Sequence, residues 1–144
     1  MQTSSANFLF SGLSDEQVRR VERLQHRAMY RAGQAVYAQG DLGEHFYIID
    51  DGTIEFVVRD AGALSYTAQT MTSGECFGMA ALLDDVVRMA SAVAIQETMI
   101  RSLSRESFAR LCQDDPQMGY TMMRNLAISL SSMLLQRSYQ PSVA

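Results

Sequence analysis

"AGQAVYAQGDLGEHFYIIDDGTIEFVV", residues 32–58, decides the fold. Its apolar residues come in short runs, "QAVYA", "HFYII" and "TIEFVVR", rich in β-branched and aromatic side chains and partly alternating, which is the period of a strand. Between them stand "QGDLGE" and "DDG", where glycine and aspartate supply turn chemistry. Working outward, "LSYTAQTM", "SAVAI" and "MIRSL" repeat the pattern, separated by "DAGA" and "TSGE" at intervals of about ten residues. Six or more short strands with this rhythm, between Met29 and Ser104, predict a mainly β domain, an antiparallel sandwich or jelly roll.

Helices flank the strands. In "LSDEQVRRVERLQHRAM" Ser14 and Gln17 make a capping box, Asp15 and Glu16 fill the first turn, and Val18, Val21 and Leu24 recur at helical spacing. Its arginines read as a solvated face. After the strands, Ser104 caps "RESFARLCQ", "DDP" ends that helix, and Pro116 suits the first turn of a last helix reaching about Arg137. On that helix Met123, Leu126, Leu130 and Met133 are spaced 3, 4 and 3, a coiled-coil-like seam, and Met122, Ile128, Leu134 and Leu135 add apolar surface on other faces. Two arrangements account for this surface: a homodimer through the seam, or a terminal helix packed on its own sheet. The expected organisation is one domain over residues 9–137, with a flexible tail at 138–144.

Charge and composition exclude several classes of function. A net charge of −4, with arginines scattered from Arg19 to Arg137, leaves no footprint for a phosphate backbone, so direct binding to nucleic acid is not expected. Cys76 and Cys112 stand far apart without metal-ligand spacing, which reads as free thiols in a reducing compartment. The N-terminus lacks a basic n-region, and "FGMAALL" is far shorter than the roughly 20 residues of a membrane helix, so the expected location is the cytoplasm and no membrane association is expected. His26, assigned to the first helix, and His45, at the start of a strand, have no carboxylate partner at cupin-like spacing, so no metal site is expected. No nucleophile and base pair stands out, and no enzymatic activity is expected.

The chemistry concentrates in "CFGMAALLDDVVRMASAVA", residues 76–94. Gly78 and the alanines after it let a ligand approach the backbone at the start of a short helix. Ten residues on comes Arg88, whose planar fork of donors suits a phosphate. Together they would make a cradle for a single phosphate; equally, Arg88 would pair with Asp84 or Asp85.

Across residues 9–137 the order of elements resembles the cyclic nucleotide-binding domain of catabolite activator proteins, kinase regulatory subunits and nucleotide-gated channels. The likeness rests on Gly33, Gly40, Gly43 and Gly52 at turn positions and on Phe77-Gly78, Ala81-Leu82 and Arg88 at the spacing of that family's phosphate-binding cassette. It implies a non-catalytic regulatory domain that binds cyclic AMP, cyclic GMP or a related small phosphate ligand and signals through its last helix. By position it assigns Arg88 to the phosphate, with Phe77, Gly78, Met79, Ala80, Ala81 and Leu82 in the cassette turn and Met89, Ala90 and Ser91 beside the arginine. The family pattern has a glutamate for the ribose 2′-hydroxyl where this chain has Met79. Losing a charge-assisted hydrogen bond of about 1.5–3 kcal/mol is expected to weaken a nucleotide by roughly ten- to a hundredfold. Asp84 and Asp85 also depart from the pattern, and Met133 and Leu134 stand where relatives often offer hydroxyls to the base. The alternative function is therefore a degenerate domain that no longer binds nucleotide and serves for dimerisation or protein interaction.

Overall fold

The computed structural model describes residues 8–62 and 64–137. Helix α1 (Asp15–Leu24) precedes ten strands: β1 (His26–Tyr30), β2 (Ala35–Tyr37), β3 (Leu42–Gly43), β4 (His45–Asp51), β5 (Thr53–Arg59), β6 (Ser65–Thr72), β7 (Cys76–Phe77), β8 (Val86–Val87), β9 (Ser91–Ala94) and β10 (Thr98–Ser104). A 3-10 turn, Met79–Leu82, separates β7 from β8, and α2 (Arg105–Asp114) and α3 (Pro116–Arg137) follow β10. Two four-stranded antiparallel sheets, in the orders β1-β10-β4-β7 and β2-β9-β5-β6, form the roll, and β3 pairs separately with β8. The expected jelly-roll architecture with one helix before it and two after it is the observed one.

Two apolar clusters follow from the strand period. Ile54 and Phe56 of β5, Ala92 and Ala94 of β9, Ile100 of β10 and Ile49 of β4 fill one. Phe46 and Ile48 of β4 face the other, against Phe108 and Leu111 of α2 and Met118, Met122 and Leu126 of α3. Strand β4 is thus buried on both faces, which explains why "HFYII" is nearly continuous in apolar residues.

The first helix is shorter than its sequence pattern predicts. It stops at Leu24, with Gln25 in extended conformation, and His26 to Tyr30 pair with Ser102 to Thr98. The roll therefore starts at His26 instead of Met29, and His26 opens a strand instead of lying in the helix. Val18, Val21 and Leu24 carry the helical period only to that point, and closing the otherwise open edge of β10 decides the rest. The predicted capping box is present, with Ser14 Oγ accepting from Gln17 N–H and Gln17 Oε1 accepting from Ser14 N–H.

The last helix docks on its own chain through a row spaced every four residues: Met118, Met122 and Leu126 are fully buried, with Leu130 packed beside them. Asn125 is buried in the same face and donates to the carbonyls of Leu9 and Ser11. The sequence seam is thereby divided. Leu126 is enclosed in the chain's own core and is not available to a second chain, Leu130 and Met133 are half-buried, and Met123 is exposed. The apolar surface left in solvent is instead Tyr120, Met123, Ile128, Leu134 and Leu135. The expected tail, 138–144, lies outside the described residues.

Candidate phosphate site around Arg88

Strand β8 delivers Arg88 to the floor of the roll. Its backbone is held on both sides by the preceding turn: Arg88 N–H donates to Asp41 O at 2.8 Å, and Gly40 N–H donates to Arg88 O at 2.9 Å. The side chain then runs under the backbone of Gly43, where an added Cβ would overlap the guanidinium, 2.6 Å from Nε. Gly43 is required for this close approach, not for a turn. Gly78 plays both parts. It begins the 3-10 turn at φ 81°, and a Cβ there would lie 3.0 Å from both Arg88 Nη1 and His45 O.

Arg88 is 7% exposed, and its guanidinium sits over the ring of Tyr37, with Cζ 4.3 Å from the ring centroid and 5.8 Å from that of Tyr47. Nη2 donates to His45 O at 2.8 Å. Nε is buried without a partner, and Arg88 makes no ion pair among the described residues. The aspartates that could have neutralised it are engaged elsewhere: Asp85 Oδ1 pairs with Arg105 Nη2 at 2.6 Å, and Asp84 Oδ1 accepts from Asp85 N–H. A buried cation with one carbonyl, the Tyr47 phenol and an aromatic face for company, and no carboxylate, is only partly compensated, and an anion is the natural complement.

The aromatic wall is continuous. Tyr47 stacks on Phe77 at 5.1 Å, Phe77 meets Phe56 edge-on at 5.2 Å, and Tyr37 lies 5.8 Å from Tyr47. Burial pushes the Tyr37 phenol from its ordinary value up to about 12, against the opposing pull of the Arg88 charge, and raises Tyr47 for the same reason. The folded protein keeps the Tyr37 proton where the unfolded chain has lost it, so unfolding free energy is expected to fall as pH rises from 10 to 12. The loss attributable to Tyr37 is at most about 2–3 kcal/mol. Urea unfolding across this range, with Tyr37→Phe giving the flatter profile, measures it.

The other expected site residues divide. Phe77 and Gly78 stand with Arg88, and Ala80 is half-buried in the turn. Met79 packs against the helix-side core, as Leu82 does from a fully buried position, and Ala81 is buried with its carbonyl 3.4 Å from Arg105 Nη1. Met89 is 63% exposed, Ala90 belongs to the core between the sheets, and Ser91 Oγ accepts from Gln39 N–H. Tyr37 and Tyr47 also build the site without being marked in the sequence, whereas Gly43 and His45, read there as a turn residue and a strand start, take part through the close approach to Arg88 and through a backbone carbonyl. The strand runs "AVY" and "HFYII" contain these aromatics but do not tell which of them meets the arginine.

A separate cavity of about 620 Å³ opens between the 3-10 turn and the C-terminal helices, lined among others by His45, Leu82, Leu83, Phe108 and Met123. His45 is common to it and to the Arg88 site. Among the described residues no helix is long and apolar enough to cross a membrane, and no three His, Cys, Asp or Glu side chains are grouped to hold a metal.

A roll closed by a glycine-led 3-10 turn over a buried arginine is the architecture of the cyclic nucleotide-binding domain, and the sequence profile of that family matches residues 27–115. The chain belongs to this family. It is 33% identical over 83% of its length to the cyclic AMP receptor protein of Thermus thermophilus and 31% identical over 75% to the cAMP-dependent protein kinase regulatory subunit of Blastocladiella emersonii. It spans 55% of the first relative and 27% of the second. The crystal structure of the Thermus thermophilus catabolite activator protein superposes with a TM-score of 0.80 at 32% identity, covering 91% of this chain and 60% of that one.

Proposed function

We propose that the chain is a non-catalytic regulatory domain that binds a cyclic nucleotide, cyclic AMP or cyclic GMP, with Arg88 as the phosphate clamp, and passes the bound state to α3. The observation that carries this reading is the guanidinium of Arg88, buried without a carboxylate partner and with its Nε unpaired. A phosphate supplies the missing charge and acceptors at once. Relatives named as a cyclic AMP receptor and as cAMP-dependent kinase regulatory subunits support the choice of ligand class. The exposed apolar residues of α3 support a homodimer or a protein partner, and the cytoplasm is the proposed setting.

A second reading has its own observation. Met79 is drawn into the core where the family places its ribose glutamate, and Arg88 rests on Tyr37 and His45 O without any ligand. On that reading the pocket is retired and the domain is an interaction module. Titration calorimetry of nucleotide-stripped protein with cyclic AMP and cyclic GMP to millimolar concentration separates the two. The sensor gives saturable heat that Arg88→Ala removes; the retired pocket gives none with either nucleotide.

A further inference from the structure

The aspartates before Arg88 have a use that the phosphate reading does not absorb. Arg105, the first residue of α2, makes three converging bonds. Its N–H donates to Glu44 O at 2.9 Å, its Nη1 to Ala81 O at 3.4 Å and its Nη2 to Asp85 Oδ1 at 2.6 Å. Glu44 immediately precedes His45, whose carbonyl holds Arg88 Nη2. Asp85 immediately precedes β8, which delivers Arg88. Both segments that fix the clamp are thus tied to one residue at the head of the C-terminal helices.

From there the connection continues by contact. Helix α2 meets α3 closely enough that a Cβ on Gly119 would lie 2.9 Å from Cys112 Cα, so the two helices are in direct backbone contact there. Leu82, at the end of the 3-10 turn, lies in the same core as Phe108 and Leu111 of α2.

We infer that Arg105 is a positioning residue for the anion site, and that its pairing with Asp85 is the latch through which the Arg88 site and the C-terminal helices fix each other's position. The inference rests on the proposed anion site for its functional meaning, while the latch itself is readable without ligand. The pair is part-exposed, 28% for the Arg105 side chain and 54% for Asp85, so it acts as a tunable bias and not as a permanent strut.

The test is amide hydrogen exchange of the unliganded protein over residues 80–88, in wild type, Asp85→Asn, Arg105→Gln, the double variant, the swapped pair Asp85→Arg with Arg105→Asp, and Asp84→Asn. Asp84 lies next to the latch without pairing to Arg105, so it reports the loss of a nearby charge alone. Exchange is expected to rise about two- to fivefold in each latch variant, no further in the double variant, and to return toward wild type in the swapped pair. Asp84→Asn is expected to leave it unchanged. Unaltered exchange, additive single effects, or an equal response to Asp84→Asn would overturn the latch.

Calorimetry with cyclic AMP on the same proteins separates this inference from the sensor reading. Absence of binding in wild type, with the exchange pattern intact, removes the sensor and leaves the latch. Binding in wild type that is as tight in Arg105→Gln removes the positioning role. Weakening of about two- to fivefold in Arg105→Gln supports it.

Discussion

Leu126→Asp is expected to prevent cooperative folding of the isolated chain, whatever the oligomeric state. The side chain is 1% exposed, in the cluster that joins α3 to β4, α2 and the segment around Leu9. Placing a carboxylate there removes about 2–5 kcal/mol of apolar packing and adds the cost of desolvating a polar or ionised group, which together approach the whole stability of a small domain. Thermal unfolding followed by far-ultraviolet circular dichroism is the measurement, and a sigmoidal melt within a few degrees of wild type would refute this placement of α3. Leu135→Asp is the informative contrast. Leu135 is 68% exposed, so its replacement is expected to change stability by no more than about 0.5 kcal/mol. In light scattering it reports whether a second chain covers the outer face of α3.

Arg88→Met separates binding from stability. Removing one partner of a buried charge-assisted pair costs about 2–5 kcal/mol, so cyclic nucleotide affinity is expected to fall by roughly thirty- to several thousandfold. The unliganded protein is expected to lose little. Methionine fills much of the space over Tyr37, and relief from desolvating an unpaired cation offsets the hydrogen bond lost at His45 O. A change in unfolding free energy within about 1 kcal/mol is predicted from urea titration. A collapse in stability would instead make Arg88 a structural residue of the floor. This combination, large for ligand and small for folding, distinguishes a site held ready for an anion from a core arginine that is already satisfied.

What could be read from the sequence follows the range of the interactions involved. Ser14 with Gln17, Ser104 with its helix, and the strands around Ile54 and Phe56 are local patterns, and each appears where the period places it. The end of α1 is not local. "QHRAM" continues a helix-compatible composition, but β10, far along the chain, offers it an open edge, with His26 paired to Ser102 and Tyr30 to Thr98. The seam on α3 divides for a related reason: Met118, Met122, Leu126 and Leu130 and the row through Met123 share residues, and the facing surface of β4 and α2 draws Leu126 into the chain's own core. Around Arg88 local spacing offers the glycine, the turn and the arginine as a cradle, and the family resemblance assigns them their roles. Whether Asp84 and Asp85 would neutralise the arginine was not readable, because Arg105, which takes Asp85 away, lies in another element.

The most direct test of the account is the Arg88 Nε–H signal in 15N-resolved NMR, assigned by its loss in Arg88→Lys, during titration with cyclic AMP. Its nitrogen is buried without a partner in the free protein, so the account predicts a saturable shift and slowed exchange with water as the phosphate takes up the proton's free direction. A signal that stays in place to millimolar nucleotide would contradict the assignment of Arg88 as a phosphate clamp.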